Sequence, residues 1–140
     1  MKPEPDVRVV GVPSYEVAAA WPHVVDMLKP AIAFAAGAYE ADDILADCTA
    51  KDSQLWAMVI DGELSAAAIT RIVEYPRLKS ITVPLVGGSD MVRWWPAFRD
   101  RMIAFGRSHG CTRLEGGGRR GWAKMLPGMV DAGCLLRMEI

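Results

Sequence analysis

The stretch from Ile81 to Trp122 limits what this chain can fold into more than any other. It reads ITVPLVGG, SDMVRWWPAFRDRMIAFGRSHG and CTRLEGGGRRGW in succession. Ile81, Val83 and Leu85 fall on every second residue, the period of a strand. Trp95, Phe98, Met102 and Phe105 recur at spacings of three and four, one apolar helical stripe with Arg99, Asp100, Arg101 and Arg107 around it. Gly110 stands where a helix stop is expected, and Cys111 to Glu115 suits a short second strand. A strand–helix–strand unit sets two parallel strands side by side with the helix over one face. Ligands of such sheets sit off the carboxyl ends of the strands, here Val86-Gly87-Gly88 and Gly116-Gly117-Gly118. The helix is expected over Trp95–Arg107, and the parallel pair over Ile81–Val86 and Thr112–Glu115.

The segments before this unit read as antiparallel. Val7 to Val12 is a first strand, and Ser14 is placed to cap the helix after it. Trp21, Val24, Val25 and Leu28 share one side of that helix, in which Pro22 predicts a late start or a kink. Pro30 opens a second apolar piece, Ala31 to Ala38. Asp42 or Asp43 can cap a short helix through Asp47. Leu55 to Ile60 is a strand, Asp61-Gly62 a strong hairpin signal, and Glu63 to Tyr75 a long return strand with Leu64, Ala66, Ala68, Thr70 and Ile72 alternating. Cys134 to Ile140 supplies a last strand. The fold class is α/β (α+β): a mixed sheet of about six strands, antiparallel and then parallel, with helices on both faces, in one domain spanning 1–140.

Composition removes several function classes. Net charge is -1 in 140 residues, which gives no bulk attraction to nucleic acid or membrane. Cys48, Cys111 and Cys134 are widely spaced, only His23 and His109 are present, and no C-x-x-C exists, so no metal site is expected. An odd cysteine count with a polar start, MKPEPD, fits a reducing cytoplasm. No run of about 18 apolar residues is present to span a membrane.

The order of elements resembles the GCN5-related N-acetyltransferase (GNAT) family. Ala104, Gly110 and Cys111 look like the family's helix ending before the second parallel strand, and Leu126-Pro127-Gly128-Met129 like the end of its next helix. Tyr75-Pro76-Arg77, Trp94 or Trp95, and Gly118-Arg119-Arg120-Gly121-Trp122 are similar to small family-like proteins encoded beside phage head genes. The resemblance implies acetyl-CoA as cofactor, held at Val86, Gly87, Gly88, Ser89 and Arg93, and transfer of acetyl to an amine. It also implies a catalytic acid from a tyrosine on the helix after the second parallel strand.

The sequence departs from that pattern where it matters. Gly88, Met91 and Arg93 fall at the loop positions where the family has Arg, Gly and Gly. Glycine serves there because the backbone must lie against phosphate with its N–H groups aimed inward. Trp122 to Leu126 contains no tyrosine; Lys124 is the nearest polar group, and Glu115 at the strand end is the candidate base. Asp90 reads as a helix cap, Cys111 as core, and one of Trp94 and Trp95 as core with the other freer. Arg93, Arg113, Arg119 and Arg120 concentrate positive charge, either as an anion site or as a solvated loop paired with acids such as Glu115. The expectation is therefore a degenerate cofactor loop with no cofactor bound, in a non-catalytic structural or accessory protein of phage type, or else an acetyl-CoA-dependent N-acetyltransferase. Partners would be other phage proteins or a second copy, with no membrane or nucleic acid. The place would be the cytoplasm of the host cell, or the virion.

Overall fold

The computed structural model describes residues 6–116 and 138–140. In chain order these form β1 (Val7–Val12), a 3-10 turn at Ser14–Glu16, α1 (Val17–Ala33), α2 (Ala41–Thr49), β2 (Gln54–Ile60), β3 (Glu63–Glu74), β4 (Lys79–Gly88), α3 (Met91–Ser108) and β5 (Arg113–Gly116). One sheet holds all five strands in the order β1-β2-β3-β4-β5. The first three pairings are antiparallel, and β4 with β5 is parallel. The strand expected over Cys134–Ile140 falls almost wholly outside the described residues. The Asp61-Gly62 hairpin is as the sequence predicts: both residues have positive φ, 50° and 82°, the demand of a tight primed turn.

Helices cover both faces. On one side α3 brings Trp94, Trp95, Phe98 and Met102 onto Trp56, Met58, Ile81 and Val83. On the other, α1 and α2 bring Trp21, Val24, Leu28, Ile44 and Cys48 onto Leu55, Ala67, Ile69 and Leu85. The central strand β3 is therefore buried on both faces, with Ala66, Ala67, Ala68, Ile69 and Thr70 all covered. The alanines let both helix layers approach the sheet closely.

Two bulges change the strand faces from simple alternation. Ile69 pairs with Leu85, but Arg71 pairs with Thr82, so Val83 and Pro84 together oppose Thr70. An extra residue reverses the facing of everything after it. Ile81 and Val83 face α3, while Leu85 turns to α1 rather than completing their stripe. In β3 the shift between Met58 and Val59 makes Ser65 the extra residue, which separates Leu64 from Ala66 and Ala68 in the same way.

Several helix boundaries differ from expectation. α1 runs unbroken through both Pro22 and Pro30, so no separate helix begins at Pro30. Each proline removes one bond to the carbonyl four residues earlier; Ala18 and Asp26, which own those carbonyls, lie on the exposed side with the prolines. Ser14 begins a 3-10 turn and makes no cap bond to α1. The cap of α2 is Glu40, not Asp42 or Asp43: its N–H donates to the Asp43 carboxylate at 2.8 Å. α3 starts at Met91, a turn before Trp95, and has Asp90 at its cap position without a side-chain cap bond. Trp94 and Trp95 are both buried, at 1% and 5% exposure. The contact arc is wide enough for both. Phe105 meets Trp56 edge-on on one flank, and Gly106 abuts Ile81 and Cys111 on the other.

Candidate functional site

The parallel pairing of β4 with β5 is followed as far as Gly116, where the continuous described residues end. Ser80 to Val83 pair with Arg113 to Gly116. Beyond Val83, β4 continues through Pro84 to Gly88 with only β3 beside it among the described residues. Pro84 has no N–H to give to a ladder, and proline within a sheet is confined to edges and bulges. Pro84 lies in the bulge. A buried network pins the opposite side of the bulge: the Trp56 indole donates to Thr70 Oγ1 at 2.8 Å, and Thr70 donates to Gln54 Oε1 at 2.9 Å. The sequence reading missed both the bulge and the network. A proline inside a strand pattern was the available signal.

The turn from β4 into α3 consists of Ser89 and Asp90. Its glycines serve packing and conformation. A Cβ on Gly87 would lie 1.7 Å from the Met27 carbonyl oxygen, so β4 meets the backbone of α1 directly there. Gly88 has φ of 121°, and a Cβ on it would lie 2.4 Å from Ser65 O. The Ser89 N–H donates to Ser65 O at 2.9 Å, and the Trp94 indole donates to Ser89 O at 2.8 Å. The Arg93 and Trp94 N–H groups donate to Asp90 O at 2.9 and 3.2 Å. Val86 is half-buried against the α3 side of the core. Of the five residues expected to hold a cofactor, Gly87 is closed in by α1 and the Ser89 N–H is taken by Ser65. With the Ser89 N–H on β3, alternation turns the backbone groups of Gly88 and Val86 away from β3. The exposed Arg93 side chain and the first-turn N–H groups of Met91 and Val92 stand at the start of α3. Asp90, exposed and left-handed at φ 61°, puts a carboxylate at the same helix start.

Glu115 pairs with Thr82. Leu114 belongs to the α3 side, so Glu115 projects from the opposite face, that of α1 and α2. Its side chain is 38% exposed, while Oε1 is buried and accepts no hydrogen bond among the described residues. Among the described residues it pairs with Arg113, at 3.9 Å. Arg113 and Arg93 do not form one cluster. Arg93 stands at the start of α3 and Arg113 just past its end, roughly 20 Å along the helix. Lys124, Arg119 and Arg120 lie outside the described residues. Cys111 is core, as expected. Among the described residues no three His, Cys, Asp or Glu side chains group to hold a metal, and no helix is long and apolar enough to cross a membrane.

Comparison with solved structures identifies the architecture. A GNAT family acetyltransferase from Staphylococcus aureus superposes with a TM-score of 0.63 at 6% identity, over 96% of this chain and 98% of that one. A predicted acetyltransferase from Clostridium acetobutylicum, solved with acetyl-CoA, gives 0.65 at 9% identity, with 96% of each chain covered. An aminoglycoside acetyltransferase from an uncultured soil metagenomic sample gives 0.70 at 10% identity, over 96% and 97%. No family model and no curated protein matches the sequence. The chain has the fold of the GNAT acetyltransferases: a mixed sheet, antiparallel and then parallel, between helices. At these identities the likeness establishes the fold alone.

Proposed function

We propose that this chain is a non-catalytic member of the acetyltransferase fold, serving as a structural or accessory protein. The observation that carries the reading is the β4–α3 turn. A diphosphate cradle needs successive free N–H groups on a backbone that a ligand can approach. Here the glycines close against Met27 and Ser65, the Ser89 N–H is taken by Ser65, and Asp90 adds negative charge. A hydrogen bond to a charged acceptor contributes about 1.5–3 kcal/mol. Losing two of them removes roughly 3–6 kcal/mol, about two to four powers of ten in affinity. Calorimetric titration with acetyl-CoA should show no binding in the micromolar range. A low-micromolar Kd, lost in Arg93→Ala, would overturn the reading and make Arg93 a substitute phosphate anchor. A phage or prophage setting is the finer form of the proposal and rests on sequence likeness at Tyr75-Pro76-Arg77 and Trp94-Trp95. Other phage proteins would then be the partners, in the host cytoplasm or the virion.

A second reading, an acetyl-CoA-dependent N-acetyltransferase, is favoured by one observation: Glu115 stands on β5 on the far face from α3 with its side chain 38% exposed. An acceptor amine on that side would meet this carboxylate, suited to take its proton through water. Acetylation of an amine by the purified protein, abolished in Glu115→Gln with acetyl-CoA binding kept, would establish this reading over the first.

A further inference from the structure

The outer edge of β1 is bare, regular and matched to itself. β1 is the first strand of the sheet, paired only with β2, in unbroken register from Val7↔Ile60 to Val12↔Leu55. The Asp61 N–H donates to Asp6 O at 2.8 Å, so the backbone polar groups of Asp6 point at β2. Alternation then directs those of Arg8, Val10 and Val12 inward and those of Val7, Val9 and Gly11 outward. Three N–H and three C=O groups thus line a free edge with no partner among the described residues. Long regular edges of this kind are usually blunted by proline, bulges or inward charges. β1 has no proline or bulge, and its one charge, Arg8, is held by Asp6 at 3.1 Å.

We propose that this edge is a self-association surface, at which β1 pairs antiparallel with β1 of a second copy about a two-fold axis through Val9. In that register Val9 faces Val9, and Val7 faces Gly11 of the other copy. The three outward residues of each strand then meet only outward residues, and all six donors find all six acceptors. No other centre uses every group: moving the axis half a residue opposes outward with inward positions, and moving it a whole residue leaves Val7 or Gly11 opposite a position beyond β1. The side chains agree with the same register. Arg8 falls opposite Val10, not opposite another Arg8, and its aliphatic stem would cover a valine that is otherwise 44% exposed. The contact is isologous and closed, so it stops at a dimer with a continuous ten-stranded sheet.

The test is sedimentation velocity across a concentration series, with wild type expected to move from 15.3 kDa toward twice that mass. Val9→Pro removes an outward N–H and places a ring at the axis. It should raise the dimer Kd about a hundredfold or more while every β1–β2 bond is kept; the lost packing of Val9 on the α3 core lowers the melting temperature without unfolding the chain. Val10→Glu and Val10→Arg, at an exposed position, should tighten and loosen the dimer respectively, by about fivefold each, because each pair occurs twice. A wild type that stays monomeric at millimolar concentration overturns the proposal. So does a dimer that survives Val9→Pro unchanged, or one that responds to Val10→Glu and Val10→Arg in the same direction.

Discussion

Gly87→Ala separates a glycine kept for packing from one kept for a ligand. An added Cβ would lie 1.7 Å from Met27 O, 2.6 Å from Met27 C and 3.3 Å from Leu28 N. Ordinary van der Waals contact begins near 3.4 Å, so α1 and β4 must separate by about 1.5 Å or more. The obstacle is helix backbone and cannot swing aside as a side chain would. Leu28, wholly buried beside it, would be lifted from Ala67, Ile69 and Leu85. Overpacking of this kind costs about 1–3 kcal/mol, and the rigid obstacle argues for the upper end. At about 4 °C per kcal/mol for a chain of this size, the melting temperature should fall by about 10 °C. Gly116→Ala is the control, because among the described residues a Cβ there meets nothing nearer than Val83 at 3.9 Å; it should change stability by less than about 0.5 kcal/mol. Thermal melts followed by circular dichroism decide between the two roles. A Gly87→Ala protein within about 2 °C of wild type would refute the packing argument, and restored acetyl-CoA affinity in any variant of this turn would point back to a cradle.

Cys48 gives a pH prediction. Burial, with a smaller contribution from the Asp47 charge, pushes its thiol up to about 11. The folded state therefore favours the neutral thiol, and the contribution is complete below the ordinary thiol value near 9. It is lost as pH rises toward 11, by about 2 kcal/mol in all, so urea midpoints should fall across that window in wild type and fall less in Cys48→Ala. Thr70→Val keeps the shape of a fully buried side chain but strips Trp56 Nε1 of its acceptor and Gln54 of its donor. It should cost about 2 kcal/mol at unchanged denaturant m value; a loss under about 0.5 kcal/mol would mean that water replaces the hydroxyl.

The strand–helix–strand unit could be read from residue spacing because its stripes are long and its stop signals local. The Trp95–Phe105 stripe, the Asp61-Gly62 turn and the Val7–Val12 strand all follow from neighbours within a few residues. What escaped the reading depends on distant contacts. α1 passes through Pro22 and Pro30 because the freed carbonyls face outward and four residues, Val17, Trp21, Val24 and Leu28, bury the other side. Tertiary packing there exceeds the local penalty of proline. The two tryptophans are both buried because sheet residues from β2 and from β4 close on different flanks of α3, an arc that helical spacing alone does not reveal.

The β4 bulge shows most plainly how one residue sets both packing and site. Ile81, Val83 and Leu85 look like one stripe, and without Pro84 opposite Thr70 they would be one. The extra residue sends Leu85 and Gly87 to the α1 side, where Gly87 must be small to admit the Met27 carbonyl. Because β4 is then seated against α1 and β3, α3 begins after only two residues. Pro84 and the Thr70 network mark the bulge, the bulge decides which side Gly87 faces, and the Met27 carbonyl decides its size. The glycines of this turn are therefore accounted for by the packing of β4 against α1 and β3, whatever the turn binds.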